Sequence, residues 1–108
     1  MTNTELKTTH ADLCDIVSYL QELINHWLDY AKTLQLDRLK SALLKNILET
    51  VEKRYLTLAW NKRYNGSTKI KITLTEAEKM ALNFIITIYP LPTHLANFTY
   101  LIGKGLTQ

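Results

Sequence analysis

The sequence predicts an all-α fold: a small bundle of two long N-terminal antiparallel helices plus two shorter C-terminal helices, with one short extended arm or strand at about 69–74. Three observations carry this expectation. Leu13, Leu20, Trp27 and Leu34 recur every seven residues, Val17, Ile24 and Ala31 fill the positions between them, and Ile16, Leu23 and Tyr30 widen the stripe. Such a stripe belongs to a helix that buries a broad face. Every glycine and proline lies at or beyond Gly66, so nothing before it breaks a helix. The apolar period changes from helical to alternating only between Lys69 and Leu74.

Taken in order, the first helix is expected from Thr9, capped by Thr8 or Thr9, with Asp12 beside the positive end of its dipole. Its stripe runs to Leu34. Asp37, Arg38 and Ser41 are polar where the stripe would continue, which places a turn around Gln35 to Asp37 and makes Asp37 the cap of a second helix. The alternative, one continuous helix from about Thr9 to Tyr64, would be rare in so short a chain. The second helix carries Leu44, Leu48, Val51, Tyr55 and Leu58, thickened by Leu39, Leu43 and Ile47. It is expected to end at Asn65-Gly66, with Lys62 and Arg63 in its last turn.

The arm at 69–74 points Ile70, Ile72 and Leu74 one way and Lys69, Lys71 and Thr73 the other. A lone strand needs a partner for its backbone. The candidates are the tail around Thr2 to Leu6, the same strand of a second subunit, or water. Thr75 and Glu78 then form a capping box that opens a third helix. From Met80 to Tyr89 it is apolar nearly all round, so it is expected to be the most buried element. Pro90 stops it, Leu91-Pro92 turns a corner, and Thr93 caps a last helix with Leu95, Phe98, Leu101 and Ile102 inward and Gly103 at its end.

A chain of 108 residues is read as a single domain over 1–108, with a disordered tail at 1–8 and a frayed end at 104–108. Cys14 is the one cysteine, which fits a reducing compartment. The polar stretch Met1 to Thr9 lacks the apolar centre of a signal peptide, and the apolar run Met80 to Leu91 is too short to span a bilayer. A cytoplasmic protein without a membrane partner is expected.

Chemistry-bearing residues are sparse. His10, His26 and His94 lie in different segments with no zinc-type spacing, so no metal or cofactor is expected. Glu22, His26 and Asp29 share a face, but it lies opposite the apolar stripe, where a solvated face is the simpler reading. Cys14 sits beside the stripe and reads as a half-buried inert thiol. There is no phosphate-cradling glycine loop and no serine nucleophile motif, and the expectation is no enzyme.

Charge is asymmetric within a total of +3. Residues 1–36 are acidic, residues 37–74 strongly basic, and the remainder neutral. The basic segment 38–71, interleaved with Tyr55, Trp60 and Tyr64, supports an alternative role in nucleic-acid binding, with Lys62, Arg63, Lys69 and Lys71 as the cluster that would meet phosphate. The competing explanation is that an acidic first helix pairs with a basic second one. The last two helices make a poor helix-turn-helix, because His94, Asn97, Thr99 and Tyr100 are ill suited to base edges.

The leading expectation is a non-catalytic protein acting through protein–protein interaction, self-associating as a homodimer. Small basic helical chains of this kind occur among bacterial, plasmid and phage accessory proteins. The apolar faces of the two long helices exceed what two short helices can cover. The expected interface is Val17, Leu20, Ile24, Trp27, Leu34, Ile47 and Leu48, with strand pairing through Ile70, Ile72 and Leu74.

Overall fold

A computed structural model describes residues 4–61, 63 and 65–103. The chain runs β1 (Thr4–Thr9), α1 (His10–Asn25), α2 (Trp27–Thr33), α3 (Arg38–Ala59), β2 (Lys69–Leu74), α4 (Glu76–Ile88), a single 3-10 turn (Thr93–Leu95) and α5 (Ala96–Gly103). The described residues are mostly helical, as expected, with one two-stranded antiparallel sheet.

The hairpin of long helices is present. Its direction follows from three contacts: His10 Nε2 lies 2.6 Å from Ala59 O, Gln21 Nε2 donates to Glu52 Oε1, and Trp27 Nε1 donates to Ser41 O at 3.0 Å. Each pair joins an early residue to a late one, so α3 runs back along α1 and α2. Leu13, Ile16, Val17, Leu20 and Leu23 of α1 meet Leu48, Val51, Tyr55 and Ala59 of α3 in the core.

The first helix does not run unbroken to Leu34. It is interrupted at His26, whose backbone leaves the helical range (φ −117°, ψ 29°). No proline or glycine causes this. The break coincides with the turn of Trp27 toward Ser41, where its indole N–H finds both the carbonyl and the hydroxyl of that residue. A buried indole N–H without such a partner would cost about 1–3 kcal/mol.

The turn before α3 is where the sequence places it. Leu36 N–H donates to Ala31 O and Gln35 N–H to Lys32 O, while Gln35 adopts φ 57°. This is the left-handed helix-ending motif usually served by glycine. Asp37 then caps α3, its Oδ1 accepting from Lys40 N–H at 2.8 Å. Because a side chain at positive φ costs about 1 kcal/mol, Gln35→Gly is expected to raise the unfolding free energy by roughly 0.5–1 kcal/mol. Urea denaturation measures this; a loss of stability would mean that the Gln35 side chain itself holds the turn.

The second long helix ends at Ala59, well short of Asn65-Gly66, so Arg63 lies outside it; Lys62 is outside the described residues. The reason lies downstream. Asn65 Oδ1 accepts from Ser67 N–H and from the Ser67 and Thr68 hydroxyls, which folds a tight loop. The loop presents Thr68 O and Gly66 O to the N–H groups of His10 and Ala11. These are two of the amides that any α-helix start leaves unpaired. Thus one loop stops α3, caps α1 and delivers β2 beside β1.

The strand at 69–74 has the partner that the chain itself supplies. The tail expected to be disordered over 1–8 is a strand from Thr4 onward, antiparallel to β2, with Leu6 opposite Ile72, Lys7 opposite Lys71 and Thr9 opposite Lys69. Ile70, Ile72 and Leu74 enter the core and Lys69 and Lys71 face out. The pairing is with the chain's own N-terminal segment.

Helix α4 opens with the predicted capping box of Thr75 and Glu78. It packs inward through Ala81, Leu82, Ile85 and Ile86. It is not buried all round: Met80, Phe84 and Ile88 are exposed, because no described element lies over them. Glu78 has a second role. Arg54 of α3 grips it with both terminal nitrogens, Nη2 to Oε1 at 2.7 Å and Nη1 to Oε2 at 3.0 Å, and Nη2 also reaches Thr73 O. Tyr55, fully buried, donates its hydroxyl to the same carbonyl. One cluster thereby locks α3, β2 and α4 together. Leu95, Phe98 and Ile102 enter the core, as the sequence predicts, while Leu101, expected with them, is half-buried; Thr93–Leu95 forms a 3-10 turn before α5.

Candidate interaction surface

The structure divides the expected interface. Val17, Leu20, Trp27 and Leu48 lie in the chain's own core, Leu48 with no exposure at all. They are covered from within and are not free to meet a partner. Ile24, Leu34 and Ile47 are half-buried, Ile24 and Leu34 packed against that core. Ile70, Ile72 and Leu74 are buried within the sheet's inner face.

A different apolar face stays open. On α3 the inward stripe is Leu48, Val51, Tyr55 and Ala59. Leu43, five residues before Leu48, sits about 140° around the helix from it, and Leu39 stands one turn above Leu43. On α4 the outward stripe is Met80, Phe84 and Ile88, at spacings of four. The exposures are 68% for Leu39, 55% for Leu43, 58% for Met80, 42% for Phe84 and 47% for Ile88.

These residues form one face rather than scattered spots. A groove of about 490 Å³ is lined by Leu34, Leu36, Leu43, Leu44 and Phe84, with Gln35, Asp37 and Lys40 at its rim. A shallower hollow of about 400 Å³ over α4 is lined by Met80, Asn83, Phe84, Thr87 and Ile88. Phe84 belongs to both. Between Met80 and Ile88 there is no charged residue. An uncharged apolar centre with charges confined to the rim is how protein-binding surfaces are built.

The other constellations have structural uses. Cys14 Sγ lies 3.8 Å from His10 Nε2. That nitrogen faces Ala59 O at 2.6 Å, and a carbonyl only accepts, so Nε2 carries its hydrogen there and is not placed to take a proton from the thiol. Glu22 and His26 form an exposed pair at 3.8 Å at the α1–α2 break. Asp12, Asp15 and His94 bring three ligand-type atoms within 4.8 Å of one another. His94 Nε2 and Asp15 Oδ2 are 2.7 Å apart, so this pair pins the 3-10 turn to α1. Lys7 and Lys69 line the adjacent small cavity together with Asp12 and His94, a setting that disfavours an added cation.

Of the basic residues, Lys7, Lys69 and Lys71 share the outer face of the sheet. Arg54 is held by Glu78, and Lys71 Nζ lies 3.1 Å from Glu5 Oε1. Lys69 and Arg63 are exposed, and Lys62 is outside the described residues.

Comparisons of the chain with protein-family models, with curated proteins and with solved structures found no match. The surface therefore stands on its own chemistry. Its signal in the sequence was the unexplained breadth of α3's apolar positions at Leu39 and Leu43, together with an α4 that is apolar on every side. The pairing of His94 with Asp15 left no signal, since the two residues are 79 positions apart.

Proposed function

We propose that this chain is a non-catalytic binding protein whose output is association with another protein through the open face of α3 and α4. The observation that carries this reading is Phe84, which joins an apolar groove on one side to an uncharged apolar hollow on the other. A helical chain gains nothing in stability from leaving Leu39, Leu43, Met80, Phe84 and Ile88 in water. Contiguous apolar patches of this kind mark docking sites. The His10 Nε2 hydrogen directed at Ala59 O supports the non-catalytic part of the reading.

The double variant Leu43→Asp/Phe84→Asp tests it. Native wild-type chain is expected to bind an apolar fluorescent dye such as anilinonaphthalene sulfonate. The variant is expected to lose most of that fluorescence while its unfolding free energy changes by only about 0.5 kcal/mol, as for substitutions at exposed positions. Unchanged dye binding in the variant would rule the face out.

One observation favours a second reading, nucleic-acid binding by the outer face of the sheet. Lys7 stands directly opposite Lys71, with Lys69 on the same face. Like charges directly opposed across strands are unfavourable, and a phosphate would relieve them. The Glu5–Lys71 ion pair offsets part of this without any ligand, which makes it the weaker reading. Its test is the salt dependence of binding to unspecific duplex DNA. Lys7→Glu/Lys69→Glu is expected to reduce the slope of log K against log salt by about 0.9 for each phosphate that is no longer neutralised. No binding at low salt removes the reading.

A further inference from the structure

We infer that the occupant of the α3/α4 groove is a second copy of this chain, docked about a two-fold axis. The inference rests on the association reading and names its partner. A two-fold interface needs projecting and receiving features within one patch, because each copy supplies both. Here they are side by side. Leu39 stands out at 68% exposure, next to Lys40 and one turn from Leu43, both of which line the groove with Leu34, Leu36 and Leu44.

The rim charges point the same way. Asp37 and Lys40 both line the groove, opposite in sign and nearly one helical turn apart. A two-fold axis passing between them sets Asp37 of one copy against Lys40 of the other, twice. A rim of one sign would repel a second copy and select an oppositely charged partner. The mixed rim is complementary to itself.

Size sets the strength. The face runs from Leu39 to Leu44 on α3 and from Met80 to Ile88 on α4, roughly 8 and 12 Å of helix at about 1.5 Å per residue. Two helices side by side, about 10 Å apart, give it a greater width once side chains are included. That is roughly 300 Å² a side, below the about 600 Å² a side at which stable specific interfaces begin, so the pairing is weak and transient. The dimer is therefore expected to dissociate at about 100 µM.

Sedimentation velocity of the full 108-residue chain from about 1 to 200 µM tests the inference. The expected result is a rise from the 12.5 kDa monomer toward twice that mass. Phe84→Asp is expected to weaken dimerisation by about 100-fold or more. Lys40→Glu, which sets two acids against each other, is expected to weaken it by about 3–5-fold. Adding Asp37→Asn to Lys40→Glu keeps a side chain able to cap α3 and removes the repulsion without restoring the ion pair, so it is expected to recover about half of that loss. A dimer indifferent to both Phe84→Asp and Lys40→Glu would overturn the proposed face. A wild-type monomer at every concentration that still binds the apolar dye would overturn the second copy as occupant while leaving the association reading intact. A monomer that binds no dye would overturn both.

Discussion

Glu78→Gln is expected to lower the unfolding free energy by about 2–4 kcal/mol, because it breaks a largely buried ion pair and leaves the Arg54 guanidinium partly desolvated without its counter-charge. The figure is set below the full buried-pair range because the Arg54 side chain is 37% exposed. Two elements meet at this carboxylate, α3 and α4, and β2 joins them where Arg54 also donates to Thr73 O. The carboxylate accepts from both terminal nitrogens of Arg54, and it closes the capping box by accepting from Thr75 N–H. A glutamine keeps the shape and one acceptor but loses the charge and one arm of the fork.

The same pair makes stability depend on acid. Burial alone would push the Glu78 carboxyl up; hydrogen bonds from Arg54 and Thr75, and the Arg54 charge, outweigh it and hold the carboxyl below its ordinary value. The Glu78 hydrogen bonds raise Arg54 in turn, against its desolvation. The folded state therefore keeps Glu78 ionised where the unfolded chain would protonate it. The stabilisation is full above the ordinary carboxylate range, about pH 4–5, and is lost as pH falls through the lowered folded value. Urea titrations from about pH 7 to 3 should show stability falling more steeply in the wild type than in Glu78→Gln, so that the two converge in acid. Parallel curves would mean that Glu78 carries no linked proton.

Leu48→Ala and Leu43→Ala are expected to separate core from surface on one helix. Leu48 has no exposure and lies in the α1–α3 core, so its truncation leaves a cavity and should cost about 3–4 kcal/mol. Leu43 is 55% exposed, and its truncation should change monomer stability by less than about 1 kcal/mol while weakening association. Denaturation midpoints at low protein concentration, where the chain is monomeric, make the comparison. Equal losses at the two positions would place Leu43 inside the fold.

This pair of leucines also shows where sequence reading runs out. Both lie on a broad apolar surface of one helix, and nothing local distinguishes them. What decides is where α1 packs. The stripe Leu48, Val51, Tyr55 and Ala59 turned toward α1, so Leu43 turned away. Trp27 reads as an interface residue on periodicity, and only the position of Ser41 across the hairpin shows why it is buried. Locally encoded features were legible: the Thr9, Asp37 and Thr75 caps, the Glu78 box partner, and the alternation from Lys69 to Leu74. Long-range ones were not. The end of α3 at Ala59 has no glycine or proline to announce it, and it follows from a loop that must reach the start of α1. Which of three candidates would pair with β2 was likewise a question of topology, answered by Thr4–Thr9.

The most direct test of association through the α3/α4 face is side-chain NMR with a soluble paramagnetic agent, comparing dilute chain with concentrated chain. Leu39, Leu43 and Phe84 are predicted to be strongly broadened when dilute and protected when concentrated, while the more exposed Leu28 and Trp60, which line neither hollow of this face, stay broadened throughout. Protection that appears at Leu28 or Trp60 instead, with Phe84 left open at every concentration, would contradict the account.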